Sequence, residues 1–218
     1  MWVANMTRPG IENAVRAVAR HSHKPSEAHW KAVVKILKCS KGTSNYGTTF
    51  SKGAGLELVF ADLDYATNAL DRRSVSGWVV MCTGTAVAWF SRTQRCVTLS
   101  SSEAEYVAMG DGIREALFVQ GISAFLQPQL GMACIRICKD DMGAIALAQN
   151  PLSLARSKHI DVRHHFLREK VESGVISVLH VPTKQQHADM PTKPLGVESF
   201  ELHRRFLLNL EVGAFVSA

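Results

Sequence analysis

The chain has 218 residues, 46% of them hydrophobic, and its 25 Lys and Arg against 19 Asp and Glu give a formal net charge of +6. That is enough apolar material for one buried core with an appendage. No apolar run approaches the ~20 residues needed to cross a bilayer, and the amino terminus lacks the charged-then-apolar pattern of a secretory signal, so an intracellular protein without a membrane span or small-molecule cofactor is expected.

Residues 1–53 hold nine Lys and Arg against two Glu, whereas the remainder is close to balance with sixteen basic and seventeen acidic side chains. The basic excess of the first segment points to a polyanion partner there. This segment reads as two helices. The first runs from about Gly10 to His21, with Ile11, Ala14, Val15 and Val18 on one face. Lys24-Pro25-Ser26 ends it, and Ser26 is a suitable N-cap for the second. In that second helix Trp30, Val33, Val34 and Leu37 form the apolar stripe, and Lys31, Lys35 and Lys38 recur at steps of four and three, which places them on a common face. Gly42 to Gly55, rich in Gly, Ser and Thr, reads as a linker.

Three strand-like runs follow, at about 57–64, 75–82 and 85–91, with Thr83-Gly84-Thr85 as the hairpin turn between the last two. A long helix from about Ser102 to Phe125 carries Tyr106, Met109, Ile113 and Leu117 at core spacing. Strand 133–138, helix 142–149, helix 159–172, strand 175–181 and terminal helices complete the chain. Three antiparallel strands followed by alternating helix and strand predict an α/β fold: a mixed five-stranded sheet with helices on both faces, preceded by a small helical segment. The five cysteines, Cys39, Cys82, Cys96, Cys134 and Cys138, are odd in number and lack a zinc spacing, so reduced, packed thiols are expected.

Four acids punctuate these elements. Asp62 lies near the end of the first strand, and Glu105 enters the long helix after Ser100-Ser101-Ser102. Asp140 ends the fourth strand, and Asp189 follows the fifth strand and a Pro182-Thr183 turn. Carboxylates delivered to one place in this way suit hard cations such as Mg2+, which take oxygen ligands. Two such ions roughly 3.5–4 Å apart hold the attacking and leaving oxygens of a phosphodiester in line. The chemistry is that of a metal-dependent nuclease. Each acid has a competing reading. Asp64 shares a strand face with Asp62. Ser102-Glu103-Ala104-Glu105 fits a capping box, although Ser100 paired with Glu103 would free Glu105. Asp140 or Asp141 could cap the helix that starts near Met142, and Asp189 could mark a helix end. His159, His164 and His165 share a helix, but no Glu completes a zinc-protease pattern.

The blocks around these acids resemble a known family. Asp71-Arg72-Arg73-Ser74-Val75-Ser76-Gly77-Trp78, Leu99-Ser100-Ser101-Ser102-Glu103-Ala104-Glu105-Tyr106, Lys158-His159-Ile160-Asp161-Val162-Arg163-His164-His165-Phe166 and Ala188-Asp189-Met190-Pro191-Thr192-Lys193-Pro194-Leu195 are similar, in order and spacing, to the ribonuclease H domain of copia-type retrotransposon polyproteins. The match covers about residues 56 to 210. Upstream, Ala4-Asn5-Met6-Thr7-Arg8-Pro9 and His29-Trp30-Lys31-Ala32-Val33 resemble the end of the preceding reverse transcriptase, so the resemblance implies domains at 1–53 and 56–210. It also implies a ribonuclease H-like fold and hydrolysis of the RNA strand of RNA–DNA hybrids with two Mg2+ ions, for which Mn2+ can substitute. Asp62, Glu105, Asp140 and Asp189 are the implied ligands. Arg72, Ser101, Ser102 and Lys158 are implied hybrid contacts, and the rest of a reverse transcriptase is an implied partner. By the same resemblance Lys31, Lys35 and Lys38 are assigned to the phosphate backbone. The alternative is a retroelement remnant that folds, binds nucleic acid and cuts nothing. It draws on the altered positions Asp141-Met142-Gly143 after Asp140, and on His187 and Pro191 beside Asp189.

Overall fold

A computed structural model of the chain describes the backbone of residues 1–52, 56–65, 72–94, 100–149 and 158–210, and within them all side chains except those of residues 56, 57, 130 and 158–164. The expected mixed sheet is the observed one. Its five strands, β1 (Leu56–Asp64), β2 (Val75–Cys82), β3 (Thr85–Thr93), β4 (Ile135–Lys139) and β5 (Ile176–His180), lie in the order β3-β2-β1-β4-β5. The first three are antiparallel. The turn from β2 to β3 uses Thr83 and Gly84 at φ 51 and 81, the doubly positive backbone that follows the sheet's own twist and that glycine adopts without strain.

Strand β4 pairs with β1 in parallel, and β5 with β4 in parallel. Parallel neighbours need long crossovers, supplied by α4 (Ser101–Leu126), α5 (Met142–Gln149) and α6 (Lys158–Glu172). Alternation along the strands divides the core into two. Val59, Ala61, Trp78, Val80, Ile135 and Ile137 pack with Tyr106, Met109 and Ile113 of α4 and with residues of α5 and α6. Phe60, Val79 and Met81 face the other way, against Met190 of α7 (Asp189–Thr192) and Leu207 of α8 (Val197–Leu208). Pro191 fits α7 because a helix's first turn has no internal acceptor for its N–H groups.

The first segment forms α1 (Trp2–Thr7), a single 3-10 turn over Pro9–Ile11, α2 (Glu12–Ala19) and α3 (Glu27–Gly42). Ser26 caps α3 as expected, with His29 closing the capping box in place of the usual acid or amide. The segment packs on the α7 and α8 face: Trp89 Nε1 donates to Ala4 O at 2.8 Å, and Arg16 Nε donates to Ser91 Oγ at 3.0 Å. The residues read as a linker are tied down to the sheet region, with Thr49 N–H donating to Leu208 O and Ser51 N–H to Thr83 O. No helix among the described residues is long and apolar enough to cross a membrane.

Candidate active site

The sheet order places β1 at its centre, next to β4, so the ends of these two strands deliver their acids to one point. One carboxylate oxygen from each of Asp62, Glu105 and Asp140 lies within 4.8 Å of the others. Their sequence neighbours are placed differently. Ser100 caps α4 and its hydroxyl accepts from Glu103 N–H at 3.1 Å. Glu105 is thereby free of the cap and is buried against the sheet. Asp141 caps α5, with Oδ1 accepting from Ala144 N–H at 2.6 Å, while Asp140 turns into the cluster. Asp62 is 1% exposed and Asp64 only half-buried.

Asp189 lies outside that trio but beside Asp62, and a cation bridges the two. Lys193 Nζ lies 2.8 Å from Asp189 Oδ1 and 3.0 Å from Asp62 Oδ2. Thr192 Oγ1 donates to Asp62 Oδ2 at 2.7 Å and fixes that carboxylate. Gln186, fully buried, donates from Nε2 to Ala61 O at 3.2 Å and to Asp140 Oδ1 at 3.4 Å.

A second lysine occupies the middle of the site. Lys139 has no exposed surface. Its Nζ donates to Ala61 O at 2.8 Å and to Glu105 Oε2, and stands 3.9 Å from both Asp62 Oδ1 and Asp140 Oδ1. Burial pushes the Glu105 carboxyl up; Lys139 pulls it back, and Asp62 and Asp140 push it up again. Burial also raises Asp189, with Asp62 adding to the effect and Lys193 opposing it. Burial works against the charge of Lys193, but Asp62 and Asp189 outweigh it and its pKa rises.

Neither lysine, nor Thr192 or Gln186, stands among the residues picked out by sequence. Lys139 does leave a signal: period-2 alternation from Ile135 and Ile137 aims it into the core, an unusual place for a lysine.

The donor set suits a hard cation. Three carboxylates converge, and Asp62 Oδ1 is buried without a hydrogen-bond partner, leaving an acceptor open to an ion. The Lys139 ammonium competes for the same oxygens.

The structure does not bring the expected nucleic-acid contacts into this cluster. Lys31, Lys35 and Lys38 are exposed on α3, which packs against α2, and Lys31 pairs with Glu27 at 2.8 Å. Arg72 is exposed and precedes β2 with a positive φ of 54. Ser101 is exposed in the first turn of α4, and Ser102 is half-buried, in a position where a Cβ on Gly143 would meet its Oγ at 2.5 Å. Lys158 opens α6, but its side chain, like those of His159 and His164, lies outside the described residues, as do Asp71, Cys96 and Leu99 entirely.

The chain is 35% identical over 196 residues to the retrovirus-related Pol polyprotein from transposon RE2 of Arabidopsis thaliana, an alignment covering 89% of this chain and 13% of that protein. It is 36% identical over 205 residues to the retrovirus-related Pol polyprotein from transposon TNT 1-94 of Nicotiana tabacum, covering 93% of this chain and 15% of that protein. The chain belongs to the retrovirus-related Pol polyproteins of transposons and spans 13% to 15% of the length of these relatives. No family model matches it. Among solved structures, it is similar to the N-terminal RNase H domain of Rv2228c from Mycobacterium tuberculosis (TM-score 0.44, 15% identity, 69% of this chain and 98% of that one). It is also similar to LC11-RNase H1 in complex with RNA/DNA hybrid (TM-score 0.40, 13% identity, 61% of this chain and 90% of that one).

Proposed function

We propose that the chain is a ribonuclease H-type endonuclease of a copia-type element, acting on the RNA strand of RNA–DNA hybrids. The observation that carries this reading is the convergence of Asp62, Glu105 and Asp140 within 4.8 Å at the ends of β1 and β4 and the start of α4. Residues 1–53 would be the end of a reverse transcriptase and residues 56–210 the nuclease, with the remaining polymerase as a partner.

Asp62, Glu105 and Asp140 would hold a divalent cation such as Mg2+ or Mn2+, with Asp189 supporting a second through Asp62. Bound ions supply charge stabilisation at a phosphodiester and a more acidic water for attack on it. The chain's own part is to fix the acids. Thr192 orients Asp62, Gln186 holds Asp140, and the Ser100 cap keeps Glu105 turned inward. Hybrid recognition would rest on backbone shape and 2′-hydroxyls rather than on sequence, with Arg72, Ser101, Ser102 and Lys158 around the site and Lys31, Lys35 and Lys38 further out.

The second reading, a non-cleaving remnant, draws on one observation: the buried Lys139 already neutralises part of the cluster. Incubation of the purified chain with a labelled hybrid and Mg2+ or Mn2+ separates the two. The nuclease reading expects RNA-strand cleavage that Asp62→Asn abolishes. Cleavage that survives Asp62→Asn unchanged, or none from wild type at any metal concentration, would overturn it.

A further inference from the structure

We propose that the Lys139 ammonium is the resident cation of this site: it fills the position that a divalent ion would take between Asp62, Glu105 and Asp140, so metal enters there only by displacing it. This rests on the reading of these acids given above.

The two lysines of the site differ in a way that matters. Lys193 is partly exposed at the cluster edge, 31% by side chain. It can swing into solvent on its flexible stem and leave Asp62 Oδ2 and Asp189 to another cation. Lys139 cannot. It is the last residue of β4, on the same face as Ile135 and Ile137, and its stem is enclosed with theirs beneath α4. Its ammonium donates to Ala61 O and Glu105 and stands 3.9 Å from the nearest oxygens of Asp62 and Asp140. It therefore meets all three carboxylates that would ligate the ion. An ammonium and a divalent ion a few ångströms apart in a buried site repel strongly, so the two are alternatives. The chain then binds metal more weakly than the same acids would with a neutral residue at position 139.

The test is Mn2+ binding to the whole chain by calorimetry and electron paramagnetic resonance, for wild type, Lys139→Met, Lys139→Ser and the double variant Lys139→Met/Asp62→Asn. Either single neutral variant should bind Mn2+ at least roughly a hundredfold more tightly than wild type, from removal of one nearby positive charge. The double variant should lose that gain. Unchanged affinity in both single variants would overturn the inference.

A crystal of the wild type soaked in Mn2+ decides the matter without any substitution. No ion between Asp62, Glu105 and Asp140, or an ion there with Lys139 withdrawn from Glu105 and Ala61 O, supports it. An ion there with Lys139 still in place overturns it. Metal gain by Lys139→Met without hybrid cleavage would leave this inference standing and sink the nuclease reading. Cleavage without metal gain would do the reverse.

Discussion

At the scale of single residues, burial and charge set two expectations. The site gathers four carboxylates and two ammonium groups, so it retains a negative excess, and Asp62 is one of the groups pushing the Glu105 and Asp189 carboxyls up. Removing its charge relieves repulsion. The amide oxygen that Asp62→Asn leaves in place would still accept from Thr192 and Lys193. Asp62→Asn should therefore fold as stably as wild type or slightly more so by thermal melting, even where it abolishes activity.

His187 carries the second expectation. It stacks on Phe206 at 3.6 Å, and its Nδ1 meets His203 Nδ1 at 2.9 Å, which requires at least one neutral ring. Burial, reinforced by His203, lowers its pKa to about 3. A depressed histidine contributes stability above its unfolded value of about 6.5, and that stability is lost as pH falls from there toward 3. Urea denaturation should show wild type losing about 2 kcal/mol relative to His187→Gln between about pH 7 and pH 5. A constant difference would mean that the fold does not shift the ring's pKa from its unfolded value.

At the scale of elements, β2 and α7 approach closely. Gly77 pairs with Asp62 across the sheet, and a Cβ there would lie 2.6 Å from Thr192 Cγ2 and 2.9 Å from Pro191 Cγ. Gly77→Ala forces α7 outward and carries Thr192 away from Asp62. The expected cost is about 1–3 kcal/mol by chemical denaturation. An unchanged midpoint would show that α7 yields freely.

Helix α3 offers the other element-scale test. Its Lys31–Glu27 pair is largely exposed at 69% and 80%, and so is easily given up to a phosphate. Replacing Lys31, Lys35 and Lys38 with Gln should flatten the dependence of log affinity on log salt by roughly two to three units, at roughly 0.9 per phosphate contact. An unchanged slope would make the stripe a solubilising face. The elements themselves are readable because apolar periodicity is strong along this chain. All five strands and the three crossover helices lie within a few residues of their expected bounds, for instance α4 at Ser101–Leu126 against an expected 102–125.

At the scale of the whole molecule, less can be read ahead. Capping patterns alone leave Glu105 against Glu103, and Asp140 against Asp141, open, and in the sequence only the family resemblance favours Glu105 and Asp140. The structure shows Ser100 capping α4 and Asp141 capping α5. The placement of Asp189 beside Asp62 but outside the trio, and the two lysines among the acids, are products of tertiary packing. They follow from where α7 docks on β2 and from β1 and β4 being neighbours across a long crossover. Residues 1–53 read as an appendage because their helices have their own apolar stripes. In the fold α2 reaches β3 and α7, whereas α3 packs on α2 and leaves Trp30 and Leu37 of its stripe exposed.

The most direct test is RNA-strand cleavage of a hybrid across a Mn2+ titration by wild type, Lys139→Met and Asp62→Asn. Wild type should cleave but need more metal than Lys139→Met, and Asp62→Asn should not cleave at all. Absence of cleavage from wild type at every metal concentration would contradict the nuclease assignment.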